Sequence, residues 1–131
     1  TQGAYIKASN ADPRDAFGNA VALSADGRVL AVTAYAEQSG AQGLNGNQAN
    51  NSLGYAGAAY VFGHTAGAWI QTAYLKATNT GANDQFGIGV ALSGDGRSLA
   101  VGAINESSAA ISIGGDQTNN SAMGSGAVYL Y

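Results

Sequence analysis

The chain has 131 residues, only 10% of them charged, and a formal net charge of −3. Its five basic residues, Lys7, Arg14, Arg28, Lys76 and Arg97, are scattered, which excludes the clustered basic footprint of a nucleic-acid binder. With no Cys, disulfides, thiolate metal sites and cysteine nucleophiles are excluded, and no apolar run approaches the roughly 20 residues of a membrane span.

Gly is abundant at 20 residues, Pro occurs once (Pro13) and 46% of the chain is hydrophobic, a balance that suits short strands and tight turns better than disorder. The chain starts at Thr1 rather than Met, from which a piece of something longer is expected.

Taken in order, Thr1–Ala8 reads as an outermost strand leading into a short connection, Ser9–Ala16. FGNAVALS, Phe17–Ser24, alternates Phe17, Val21 and Leu23 with small residues and predicts a strand packed between close neighbours. The Ala25–Arg28 turn carries Asp26-Gly27, a strong hairpin signal. Arg28–Ala34 is the second predicted strand and Gly57–Phe62 the third. Between them lies Tyr35–Ala56, rich in Asn, Gly, Ser and Gln, and loops of that length are usually functional or mobile. A turn, GHTAG, then leads to the fourth strand, Ala68–Ala77.

The same order then repeats. AYLKATN (Ala73–Asn79) answers Ala4–Asn10, Phe86–Val101 answers Phe17–Val32, and Gly126–Tyr131 answers Gly57–Phe62, always at an offset of 69. Residues 1–62 and 70–131 share 31 identities in 62 positions, so the chain is a tandem repeat, with unit 1 at about 1–69 and unit 2 at about 70–131. No sustained 3.6-residue apolar stripe appears, so helix should be scarce.

Four short strands per unit, joined by Gly-rich turns, predict an all-β fold of two four-stranded antiparallel blades of a β-propeller. In that topology Ser9–Ala16 and Thr78–Gln85 open on the same face as the long loops Tyr35–Ala56 and Ile104–Ser125, while the Asp-Gly turns lie on the opposite face. Residues Gly63–Trp69 have no counterpart after Tyr131, so one blade's outer strand is expected to be supplied across the chain ends. The expected assembly strands are Tyr5, Ile6 and Lys7 at one end and Val128, Tyr129 and Leu130 at the other. Joined head to tail, such chains form a ring or a filament, and a ring of two-blade chains has an even blade count, roughly six or eight.

Phe17-Gly18 followed by LSADGRVLAVTA, and Phe86-Gly87 followed by LSGDGRSLAVGA, resemble FG-GAP repeats of the integrin-α-like propeller family, in its bacterial form. The resemblance covers both units. It implies a secreted or cell-surface structural module engaged in adhesion and protein–protein contact. Its expected partners are identical chains or the remaining blades of a parent propeller, and a cell-surface protein or glycan. Many integrin-type repeats carry a DxDxDGxxxD calcium loop. Here only Asp26-Gly27 and Asp95-Gly96 remain, too few oxygens for a hard cation that takes six to eight ligands.

Candidate chemistry is correspondingly sparse. Asp26 and Asp95 are weak candidates for a metal and equally read as turn-supporting aspartates. Asp15, Asp84, Glu37, Glu106, Asn50 and Asn119 recur in both units and place carboxylates and amides on the loop face. Two readings stand there: a saccharide- or calcium-dependent ligand site, or loop-internal hydrogen bonding. Tyr35 and Tyr55, at the ends of the first long loop, have no tyrosine counterpart in unit 2 and read as contact residues. His64 reads as a solvated turn residue. It has no acid beside it, and no GxSxG, HExxH or phosphate loop occurs, so no catalytic residue, no cofactor and no enzymatic activity are assigned.

Overall fold

A computed structural model describes all 131 residues and contains no helix. Seven strands form in chain order: β1 (Val21–Leu23), β2 (Val29–Ala34), β3 (Ala58–Thr65), β4 (Ala68–Leu75), β5 (Phe86–Leu92), β6 (Leu99–Ala103) and β7 (Ala127–Leu130). They make two antiparallel sheets, β1-β2-β3-β4 and β5-β6-β7. The expected second four-stranded sheet is therefore three-stranded here.

Period-two alternation places the two halves of the core. In the first sheet Val32, Ala34, Tyr60, Phe62 and Tyr74 share one cluster with Ala8, while Ala31, Ala59 and Leu75 join Phe86, Leu99, Val101 and Ala103 of the second sheet in another. The second cluster is the seam between the sheets, and Ala8 lies on the far side of the first sheet from it. Within the seam cluster the first sheet supplies mostly alanine and the second supplies larger side chains.

At the rim of this seam the backbones nearly touch. Asn83, Gln85 and Phe86 donate their backbone N–H groups to the carbonyls of Gly54, Tyr55 and Ala56 at 2.9, 2.9 and 3.1 Å. Gly57 makes this approach possible. Its φ is +84°, and a Cβ there would stand 2.0 Å from the Phe86 carbonyl oxygen.

Four local readings change. The first strand of unit 1 is shortened to Val21–Leu23: the Gly18 and Asn19 amides both go to the Thr33 carbonyl, and the Asn19 side chain donates across to the Gly87 and Ile88 carbonyls. The Asp-Gly turns have positive φ only at Gly27 and Gly96, so each is a type I turn closed by a left-handed glycine, not a type I′ hairpin. His64 belongs to β3 and lies across from Trp69, with ring centroids 5.0 Å apart. Thr1–Ala8 forms no strand, since a β-strand needs a neighbour to receive its backbone bonds.

Gly57→Ala is expected to destabilise the chain by about 3 kcal/mol or more, from left-handed strain and backbone overlap together. Gly54→Ala, on the same loop with open space at its Cβ, is expected to stay within about 0.5 kcal/mol. Denaturant titration of both variants checks this.

Candidate functional site: a buried ion pair beneath a polar loop rim

Glu37 follows β2, where the chain turns back on itself with its N–H on the Ala34 carbonyl at 3.2 Å. Lys76 follows β4, where the chain leaves the first sheet for the second. The Lys76 Nζ donates to Glu37 Oε2 at 2.8 Å, and both side chains are 0% exposed. This is the molecule's only ion pair. Asn10 donates its Nδ2 to Glu37 Oε1 at 2.9 Å and accepts from the Tyr60 hydroxyl at 2.8 Å. The Ser39 hydroxyl bonds Glu37 Oε2 and also the Tyr74 hydroxyl.

Burial pulls the Lys76 ammonium below its ordinary range, and the adjacent Glu37 carboxylate opposes the shift. The Tyr60 and Tyr74 hydroxyls are pushed well above theirs, first by burial and also by the Glu37 charge. Two buried charges this close are tolerable because they neutralise each other at hydrogen-bond distance and Asn10 and Ser39 add further donors to the Glu37 carboxylate.

The second unit repeats most of this wiring. Tyr129 donates to Asn79 Oδ1 at 2.6 Å, Asn79 donates to Glu106 Oε1 at 2.8 Å, and Ser108 donates to Glu106 Oε2 at 3.0 Å.

The recurring carboxylates expected on an open face are thus placed inside. Asp15, Glu37, Asp84 and Glu106 are all buried. Asp15 Oδ2 accepts from the Asp12 amide at 3.0 Å and Asp84 Oδ2 from the Gly81 amide at 2.8 Å, which closes the turn before each inner strand. Burial raises the acid range of both. Asn50 and Asn119 cap their own loops through the amides of Ser52 and Ser121 at 2.9 and 3.2 Å. Loop joins loop through Ser9 to Gln48 and Thr78 to Gln117, so the two connections do share one rim.

Asp26 and Asp95 sit in the tight turns, fully exposed. Each Oδ1 accepts from the serine two residues before (Ser24, Ser93) at 2.6 Å and from an arginine amide (Arg28, Arg97) at 3.0 and 3.1 Å. The serine bond is the main reason both carboxyls lie below the ordinary range. No group of three or more His, Asp or Glu side chains gathers anywhere. Tyr35 and Tyr55, distant in sequence, do meet, with ring centroids 6.4 Å apart on the loop rim.

Residues 69–131 match the family model of the FG-GAP repeat, and residues 1–62 copy that segment at 31 of 62 positions. Residues 69–131 are an FG-GAP repeat. Compared with curated proteins and with solved structures, it finds no match. The matched FG-GAP segment runs from β4 of the first sheet through β7 of the second, so the sequence repeat and the sheet are offset by one strand. Lys76 stands just where that offset is bridged. Sequence reasoning took Lys7 for an assembly-strand residue and gave Lys76, Ser39 and Asn10 no role. The signal was present, because Lys7/Lys76, Asn10/Asn79 and Glu37/Glu106 recur together.

Lys76→Met is expected to cost about 3–5 kcal/mol, since it leaves the Glu37 carboxylate buried and uncompensated, and Lys76→Met with Glu37→Gln is expected to recover most of that loss. Stability should also fall above about pH 10.5. There the unfolded chain releases the Tyr60 and Tyr74 protons that the folded chain keeps, so the folded state binds more protons and loses ground as pH rises. Lys76 acts oppositely, but only below its unfolded value. Melting temperatures from pH 9 to 12, with a shallower fall in Tyr60→Phe/Tyr74→Phe, check the sign.

Proposed function

We propose that the chain is a non-catalytic β-propeller module, secreted or displayed at a cell surface, that works by contact. Its sheets stack with further sheets of the same kind by head-to-tail strand complementation, and its long-loop rim meets a protein or glycan. FG-GAP repeats are structural and binding repeats, which supports the non-catalytic reading.

One observation carries the stacking. Ala59 and Leu75 on the outward face of the first sheet are covered by the second sheet. On the same face of the second sheet, Val128, the counterpart of Ala59, is 69% exposed, and Leu130 is 79% exposed. β3 is flanked by β4, whereas the equivalent edge of β7 has no neighbour. An open apolar edge strand pairs with another strand unless it is blunted, and strand addition is an established way for chains to join. Two such sheets do not close a ring, and propellers close with roughly four to eight.

The Tyr35–Tyr55 pair favours a second role for the rim, as a flat aromatic contact for a glycan or an apolar protein surface.

Sedimentation velocity on the purified chain should give an assembly of about three or four chains, or a longer series. A 13.0 kDa monomer at every concentration overturns self-association. Adding a chelator should leave the melting temperature unchanged, and a drop would restore a calcium-dependent site. Tyr55→Ser should keep the assembly mass and weaken attachment to cell-surface glycan or protein.

A further inference from the structure

Glu106 is a buried carboxylate without a cation. It occupies the repeat position of Glu37 and is 2% exposed. It keeps the asparagine and serine partners that Glu37 has, but the only ion pair in the chain is the one on Glu37. Burying a carboxylate without a cation is costly. The repeat counterpart of Lys76 is Lys7, and Lys7 is exposed.

The space beside Glu106 has the shape of the missing partner. A groove of about 390 Å³ runs between β7 and the 110–115 loop, lined by Glu106, Ser108, Ile113, Gly114, Val128 and Tyr129 among others. The equivalent positions in the first unit hold Tyr74, Leu75 and Lys76. There the Tyr74 hydroxyl meets Ser39, the Tyr74 amide donates to Asn45 Oδ1 at 2.9 Å, Leu75 bridges Leu44, and the Lys76 amide donates to the Gly43 carbonyl at 2.9 Å. The second loop already holds the same backbone form. Gly43 and Asn45 have φ +66° and +53°, and Ser112 and Gly114 have φ +72° to within a degree or so (73° and 72°). Ile113, the counterpart of Leu44, is fully exposed.

The opposite end of the chain is equally prepared. Asn83 and Gln85 reach the Gly54 and Tyr55 carbonyls from left-handed backbone, φ 67° and 55°. Their counterparts Arg14 and Ala16 have φ 75° and 59°, yet their N–H groups donate to no backbone carbonyl. The carbonyls they would meet by repetition are those of Met123 and Gly124.

We propose that Tyr5–Lys7 of a second copy enters the groove beside β7, with its Lys7 ammonium on the Glu106 carboxylate, so that copies join through the same kind of buried pair that ties the end of β4 to the end of β2 within the first sheet. Repetition then puts the Tyr5 hydroxyl on Ser108 and Ile6 against Ile113. The segment comes from another copy because Ala8 is packed in the cluster on the far side of the first sheet, and Asn10 is bound to Glu37. One residue of chain, about 3.5 Å, does not carry Lys7 around that sheet.

This rests on the self-association proposed above, and a charge-swap experiment separates the two. Lys7→Glu and Glu106→Lys are purified singly and mixed, with sedimentation velocity as the readout. The wild type should associate. Each variant alone should associate on the order of a hundredfold more weakly, since like charges then meet in a buried groove. The equimolar mixture should recover association in even-numbered or open assemblies of alternating variants, because Glu at 7 meets Lys at 106 at one junction and Lys7 meets Glu106 at the next. If Glu106→Lys does not fold, Lys7→Met supplies the test, since it alters an exposed side chain and should show the same loss with an unchanged melting temperature at low concentration. A monomeric wild type overturns self-association and this junction together. A wild type that associates alongside single variants that associate equally well leaves self-association standing and overturns the Lys7–Glu106 junction. Folded single variants that stay apart when mixed overturn it as well.

Discussion

Two charges taken fully out of water, Lys76 and Glu37, set the geometry around them. A buried ammonium is tolerable only with its counter-charge at hydrogen-bond distance, so the chain leaves the first sheet where Lys76 can reach Glu37. With Lys76 on Glu37, Leu75 is held beside Leu44 and the Tyr74 hydroxyl reaches Ser39. Ala77 then falls into the seam cluster with Phe86 and Val101. The pair therefore positions the second sheet through the short connection that follows it.

The seam needs such a device because its apolar part is modest. Ala31, Ala59, Ala77 and Ala103 contribute little area each, and their value lies in letting two backbones come close. Gly57 and Gly87 complete that approach, for a Cβ on Gly87 would stand 2.8 Å from the Ala58 carbonyl oxygen. Small residues permit many relative positions of two sheets. Paired buried charges permit few, because a slip of one residue leaves both uncompensated. Four of the eight acidic residues of this charge-poor chain are inside, and only Glu37 has a cation there; Asp15 and Asp84 accept backbone amides, and Glu106 accepts from Asn79 and Ser108.

The repeat, the strands β2, β3 and β4 and the shared loop rim were legible from alternation, turn residues and the fixed offset. The interior position of Glu37 was not. An acid just after a strand, at the head of a Gly- and Ser-rich loop, has the local pattern of a solvated residue, and its lysine lies 39 residues away. No window of sequence contains both. The shortening of β1 was equally hidden, since it depends on Asn19 donating across the seam to the Gly87 and Ile88 carbonyls. Unit 2 has Ile88 at that position and keeps the longer strand β5.

Recurrence itself separates wiring from recognition. Groups present in both units, namely the asparagine, glutamate and serine around each buried carboxylate and the capping Asn50 and Asn119, are consumed by hydrogen bonds inside each unit. Among the positions that differ, several lie on the rim: Tyr35 and Tyr55 against Ile104 and Gly124, and the Asp12–Asn51 bond against Gly81 and Asn120. A repeat needs its structural device in every copy, whereas a ligand needs only one favourable surface. In the proposed assembly, copies would therefore meet at the sheet faces, and the unequal parts of the rim would be the surface left for a different partner.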